Sequence, residues 1–238
     1  MTIHAARYLN FSLSMLSTVA TPLQYLMEYP RDIKSLCLSH KFCNLHALAI
    51  IRGRGNTEIA AVLQDNLAPL QEGVTWADLQ FRNINHFFDP ITKKGLWRFS
   101  PGVYDFSVYL AKACRLAKTA DITNSFFYLG AAVHLLQDMS VPHHVCGYLF
   151  KGHKKFENWV QNHLAEFAYP QNSINETTRP IDLLLSSATI AREFMPFVGE
   201  SATEQHYRYA AKNLLPIAQT SSANLFEWFV ETKVLRKR

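Results

Sequence analysis

Five side chains in a 24-residue window, His134, Asp138, His144, His153 and Glu157, have the types and spacing of a metal site. They stand in H-L-L-Q-D-M-S-V-P-H-H, from His134 to His144, and in H-K-K-F-E, from His153 to Glu157. His134 and Asp138 are four residues apart, as are His153 and Glu157. On a helix an i, i+4 pair projects from one face, close enough for both side chains to hold one ion. Neutral imidazoles and ionised carboxylates are zinc donors. Without a metal, each would need its own buried partner, which makes a purely structural role costly. Five donors exceed what one tetrahedral zinc takes, so the pattern points to a multinuclear site bridged by a carboxylate such as Asp138. Two or three ions held this way suit phosphoester hydrolysis. Such ions neutralise phosphate oxygens, generate hydroxide near neutral pH and stabilise a departing alkoxide.

The elements that must position these donors are helices. Ala47 to Leu63 is aliphatic and amphipathic, with an interruption at R-G-R-G-N, residues 52–56. Val103 to Lys118 carries apolar residues at helical spacing. Asp121 or Thr123 caps the next helix, which runs through His134 to Asp138 and which Pro142 ends. The loop after Pro142 is expected to swing His144 back towards the cluster. A helix over roughly 153–168 brings in His153 and Glu157 and stops before Pro170. Residues 170–180 read as a polar loop, and two final helices are expected near 181–194 and 202–231. Residues 84–101 read as irregular, with turns at Asp89-Pro90, Lys94-Gly95 and Ser100-Pro101. No internal repeat and no strand-rich block is visible. The expected fold is all-α, a single-domain multi-helix bundle over 39–238, preceded by an N-terminal segment over 1–38 that is processed or lies before the true start.

Composition narrows the field further. With 238 residues, 48% of them hydrophobic, the chain can bury one sizeable core. Only nine glycines argue against a glycine-rich β fold or a low-complexity chain. The net charge of +5 comes partly from Lys93-Lys94, Lys154-Lys155 and the K-V-L-R-K-R end. A positive surface suits a phosphate-bearing substrate or an anionic membrane, although a basic C-terminus is commonly just a solvated tail. Cys37, Cys43, Cys114 and Cys146 form no C-x-x-C pair, which excludes a cysteine zinc finger and argues against a dense disulfide framework. Arg7 followed by the apolar, serine-laced run 11–20 imitates a signal peptide only weakly. No stretch is long and apolar enough to span a bilayer.

F-Y-L-G-A-A-V-H-L-L-Q-D-M-S-V-P-H-H, from Phe127 to His144, followed by G-H-K-K-F-E, from Gly152 to Glu157, resembles the bacterial zinc-dependent phospholipases C. The family pattern is F-Y-L-G-x-x-x-H-x-x-x-D-x-x-x-P-x-H and then H-x-K-[FY]-E, and every position is matched. Two further blocks are similar in the expected order. Ser39 to Ala47, S-H-K-F-C-N-L-H-A, looks like the family's N-terminal His block. Trp76-Ala77-Asp78 and Asn85 to Pro90, N-H-F-F-D-P, look like its Asp ligand and its H-F-[YF]-D-P segment.

The resemblance implies roles. One zinc would be held by Asp78, His86, His134 and Asp138, and a second by His144, His153 and Glu157. A third would be shared through Asp138 with His40 and the N-terminal residue, a mature Trp in the family. Met1 lies 39 residues before His40 and no Trp precedes Trp76. Either the third site is altered, or processing or the gene start hides the true terminus. Asp78 is also the residue the resemblance suggests as general base, against the plainer alternative of a carboxylate at a helix N-terminus. His143 is read as standing behind the ligands or exposed, and His46 as a surface residue or outer partner. His4, His163 and His206 are read as ordinary. Phe81, Phe87, Phe88, Tyr104, Phe126 and Phe127 are read chiefly as core. Some of them are alternatively the wall of a lipid or choline pocket.

The implied activity is hydrolysis of a glycerophospholipid to diacylglycerol and a phosphorylated headgroup, at a membrane or micelle surface, by a monomer, with no nucleic-acid partner. Family resemblance implies secretion. The chain is too short for the C-terminal β-sandwich of the larger toxins, so strong membrane lysis is not expected. Two rivals stand beside this reading. One is a single-strand nuclease of the S1/P1 type, which typically closes its site with H-x-x-x-D where this chain has His153 and Glu157. The other is a non-catalytic metal-binding relative.

Overall fold

The computed structural model describes residues 37–167 and 179–237. His4, the apolar run 11–20, nearly all of the N-terminal segment and most of the 170–180 loop lie outside the described residues. Nine α-helices are described: α1 (Leu38–Gly53), α2 (Thr57–Asp65), α3 (Leu67–Asp78), α4 (Gly102–Lys118), α5 (Ile122–Asp138), α6 (Pro142–Cys146), α7 (His153–Asn162), α8 (Pro180–Glu193) and α9 (Glu204–Phe229). No strand occurs among the described residues, and the all-α expectation holds. Among the described residues no helix is long and apolar enough to cross a membrane.

The centre of the molecule is α5. Its N-cap is Asp121, whose side chain accepts from the Asn124 amide, satisfying one of the orphan donors of the first turn. From Leu129 to Asp138 every residue is buried, so this half of the helix has no solvent face. It is sandwiched by α3 and α4 and crossed by α9. The contact with α3 is made by backbone. A Cβ on Gly73 would stand 1.8 Å from the Phe127 carbonyl oxygen, and one on Gly130 would stand 2.0 Å from that of Leu70. Two glycines, one on each helix, therefore let the axes approach until main chain touches main chain. This matters for the site, because α3 ends at Asp78 while α5 carries His134 and Asp138.

The break in the long amphipathic stretch falls where the R-G-R-G-N sequence placed it, between α1 and α2. The turn is tied to the far end of α9 by buried charge. Arg54 pairs with Glu227 at 2.5 Å, and Asn56 donates to the other oxygen of Glu227 at 2.6 Å. Several boundaries differ from expectation. Pro142 does not end α5, which stops at Asp138; it opens α6 as the first helical residue, where its missing N–H costs nothing. His144 is therefore on a short helix, not on a loop. The helix at His153 is shorter than expected, with a 3-10 turn over Leu164–Phe167. The 84–101 region contains 3-10 turns, Gln80–Asn85 at its edge and Leu96–Arg98 within it.

The glycine contact makes a direct prediction. Gly130→Ala must push α3 and α5 apart, an overpacking cost of about 3 kcal/mol, read as a lowered urea midpoint with reduced metal uptake. A midpoint equal to that of the unsubstituted chain would show that the crossing does not set the helix separation.

Candidate metal centre

Asp138 lies at the C-terminal end of α5, and its carboxylate is only 3% exposed. Four imidazoles from separate elements converge on it. His86 Nδ1 is 2.9 Å and His134 Nε2 is 3.4 Å from Oδ2, His144 Nδ1 is 3.9 Å from the same oxygen, and His40 Nε2 is 3.5 Å from Oδ1. A second group lies beside the first. Glu157 Oε1 is 2.8 Å from His153 Nε2 and 3.4 Å from His144 Nε2. Three sets of donors are clustered tightly enough to share an ion: Asp78 with His86 and His134; His40 with His134 and Asp138; His144 with His153 and Glu157. All of them line one cavity of about 260 Å³.

Backbone carbonyls decide which nitrogen most of these histidines present. His86 Nε2–H donates to the Ala77 carbonyl at 3.0 Å, leaving Nδ1 bare towards Asp138 and towards His134, 3.3 Å away. His144 Nδ1 is 3.1 Å from the His86 carbonyl, and its Nε2 turns to Glu157. His153 Nδ1 is 3.3 Å from the Leu149 carbonyl, and its Nε2 also faces Glu157. Metal-ligating histidines are oriented in this way by a bond at the far nitrogen. Phe87 stacks on the His144 ring at 4.7 Å and holds its plane.

The donor set fits zinc. Tetrahedral zinc with N and O ligands at about 2.0–2.2 Å requires donors about 3.3–3.6 Å apart, and the carboxylate–imidazole separations within the two groups bracket that range. The Asp138 Oδ2 atom is buried without a hydrogen-bond partner, an arrangement a bound cation relieves. The charges are poised in the same sense. Burial works against ionisation of Asp138, but His144, His134 and His86 outweigh it and hold the carboxyl well below the usual range. Glu157 is also held well below it, by His153 and His144 against desolvation. Burial opposes protonation of His144, yet Asp138 and Glu157 lift it to about 9. Burial and the neighbouring His134 carry His40 down to about 4.

Every residue singled out in the sequence, His40, Asp78, His86, His134, Asp138, His144, His153 and Glu157, lines this cavity. Asp78 is the last residue of α3 and not a helix N-terminal carboxylate. At that end the helix dipole disfavours negative charge, so the plainer alternative for it loses its basis. His143 is fully buried, stacked on His153 at 4.9 Å with its Nε2 3.1 Å from the Lys151 carbonyl, and burial with His153 beside it depresses it to about 3. It is not exposed. His46 packs against Phe42, His163 stacks on Trp159, and His206 forms the capping box of α9 with Thr203. Phe87, Phe88 and Phe126 are buried, whereas Phe81 and Tyr104 are exposed.

The sequence reading missed two residues that bear on the site. Cys37, at the N-cap of α1, points its thiol at Asp78 Oδ2, 3.6 Å away. Gln137 lies behind His40, its Oε1 2.9 Å from Nδ1. Neither belongs to a ligand motif, and the Gln137 partner is 97 residues away, so sequence spacing held no signal for it.

Three groups of candidate metal ligands thus meet in one cavity of an all-helical fold. Residues 39–211 match the family model described as zinc dependent phospholipase C, and the chain belongs to that family. It is 29% identical to a phospholipase C of Clostridium perfringens, over 76% of this chain and 48% of that protein. The alpha toxin of Clostridium absonum shares the fold with a TM-score of 0.74 at 16% identity, covering 84% of this chain and 64% of the toxin. An alpha-toxin from an avian strain of Clostridium perfringens aligns with a TM-score of 0.68 at 19% identity, over 82% and 64%. The chain thus spans about half the length of the curated relative.

Because His144 and His134 both hold protons tightly in the metal-free protein, zinc must displace them. Apparent zinc affinity should therefore rise with pH through the neutral range, by about tenfold per unit for each proton displaced, with the His144 contribution flattening above about 9. Calorimetric titration in buffers of differing ionisation heat counts those protons. Zinc binding without proton release near neutral pH would contradict the charge arrangement described above.

Proposed function

We propose that this chain is a zinc-dependent phospholipase C that hydrolyses glycerophospholipids to diacylglycerol and a phosphorylated headgroup, using two or three zinc ions. The observation that carries the proposal is the convergence of His40, Asp78, His86, His134, Asp138, His144, His153 and Glu157 on one cavity in a member of the zinc-dependent phospholipase C family. His86, His134 and Asp138 with Asp78 would hold one ion, His144 with His153 and Glu157 a second, and His40 with Asp138 a third. Zinc bound there supplies positive charge to phosphate oxygens and acidifies a bound water.

The protein's own groups divide the remaining work. Asp78, half-buried at the mouth of the cluster, is the general base. It takes the proton of the attacking water, and Cys37 steadies its Oδ2. Asp138, sealed behind the imidazoles, stays ionised and would offer an anionic oxygen to the bound ions. The cavity is also lined by apolar Phe87, Leu149, Leu214 and Leu215, side chains suited to the glyceride part of a lipid.

The rim supports a lipid substrate as well. Phe87, Leu96 and Leu149 pack into a small cluster that joins the loop after Asp89 to the loop after Gly147. Outside this cluster Ile91, Trp97, Phe99 and Phe150 are exposed, with Lys93 and Lys94 on the same loop as the first three. Apolar and aromatic side chains next to lysines suit contact with an anionic membrane surface.

Release of headgroup from phosphatidylcholine should be abolished by chelation and restored by zinc. Asp78→Asn should lower it by about a hundredfold or more with the fold intact. Zinc binding accompanied by cleavage of single-stranded DNA and not of lipid would replace this reading with the nuclease one. Zinc binding with neither activity would make the chain a non-catalytic relative.

A further inference from the structure

The histidines His86, His144 and His153 are oriented by backbone carbonyls, but His40 is oriented by a side chain, and that side chain can be assigned without choice. Gln137 Nε2 donates both its hydrogens, to Asn44 Oδ1 and to Ser222 Oγ, each at 2.8 Å. Neither partner can reverse. The Ser222 hydroxyl hydrogen goes to the Ala218 carbonyl at 2.7 Å. Asn44 Nδ2 donates to Gln71 Oε1 at 3.1 Å, and Gln71 Nε2 donates to the Lys41 carbonyl at 3.3 Å. The chain of bonds ends on two main-chain carbonyls that only accept, so its direction is fixed throughout. Gln137 is thereby left with its Oε1, and not its nitrogen, against His40 Nδ1 at 2.9 Å. Oxygen accepts, so Nδ1 carries the hydrogen. The Nε2 lone pair then faces Asp138 Oδ1, 3.5 Å away.

We propose that Gln137 is a positioning residue that holds His40 in its Nδ1–H tautomer and so presents Nε2 to a metal shared with Asp138. The arrangement answers a conflict within the site. A buried carboxylate beside Nε2 attracts the imidazole hydrogen to that nitrogen, which would cap the very atom a metal needs. Gln137 claims the hydrogen for the opposite side of the ring. Gln137, Asn44 and Ser222 are all buried, and they come from α5, α1 and α9, so the packing of three helices supports the choice. The proposal rests on the reading of His40 as a ligand, and the test separates the two.

Three variants are compared with the unsubstituted chain: Gln137→Met, which keeps length and loses the acceptor; Gln137→Glu, which keeps an acceptor; and His40→Ala. The readouts are the imidazole nitrogen shifts of the metal-free protein and a zinc titration. The expected result is an Nδ1–H His40 in the unsubstituted chain and an Nε2–H His40 in Gln137→Met. One class of zinc should weaken by about 10- to 100-fold in Gln137→Met, the remaining zinc should bind as before, and Gln137→Glu should restore the Nδ1–H tautomer. If His40→Ala loses a zinc while Gln137→Met loses none, the positioning role is overturned and the ligand reading stands. If His40→Ala binds zinc as the unsubstituted chain does, the ligand reading fails and the proposal with it. Should Gln137→Met not fold, the spectrum of the unsubstituted chain decides, because an Nε2–H tautomer there overturns the proposal by itself.

Discussion

A carboxylate that is almost wholly withdrawn from water, Asp138, is the constraint to which the rest of the molecule answers. An ionised group in an apolar interior is costly unless charge and hydrogen-bond donors surround it. The groups gathered around it here are the imidazoles of His40, His86, His134 and His144, from α1, the segment after α3, α5 and α6. No single element could supply them, because one helix offers at most the i, i+4 neighbour on the same face. Satisfying one charge therefore requires four parts of the chain to meet at one point. A metal ion takes the same position that the protons on His134 and His144 occupy in its absence. Folding and metal binding thus draw on one set of groups.

The helical character and the candidate ligands of the His134–Glu157 window were legible because their spacing is local. The pair at i, i+4 on α5 and the pair on α7 survive any uncertainty in where a helix ends. Helix α3 was not legible. It contains Pro69 and Gly73, which propensity reads as breaks. In the structure Pro69 sits in the first turn, where the N–H it lacks would have no helical partner, and Gly73 is the point of contact with α5. Pro142 was misread for the same reason: a residue that stops one helix also starts another well. Asp78 and His86 were reached through family resemblance, and the structure gives their physical basis. His86 Nε2 bonds the carbonyl of Ala77, the residue before Asp78, so the two ligand segments are joined by one hydrogen bond.

The H-F-F-D stretch from His86 to Asp89 shows how tightly consecutive residues are used. His86 faces Asp138, and its carbonyl takes the His144 Nδ1 hydrogen bond. Phe87 stacks on the His144 ring. The Phe88 amide donates to the His144 carbonyl at 3.1 Å, and Asp89 pairs with Arg192 of α8 at 3.0 Å. Four neighbouring residues thus clamp α6 from ring, backbone and flank. A substitution at Phe87, Phe88 or Asp89 would disturb His144 without removing any ligand, so the motif encodes orientation as much as coordination.

The two halves of the centre are electrostatically unequal. Asp138 is sealed, whereas the Glu157 side chain is 44% exposed at the open side of the same cavity. Charge interactions strengthen as water is excluded, so the Asp138 half holds its charges in a fixed arrangement while the Glu157 half is screened and able to adjust. His144 belongs to both halves, 3.9 Å from Asp138 through Nδ1 and 3.4 Å from Glu157 through Nε2. The clamp on its ring by Phe87 and the His86 carbonyl is therefore what keeps the two halves in register.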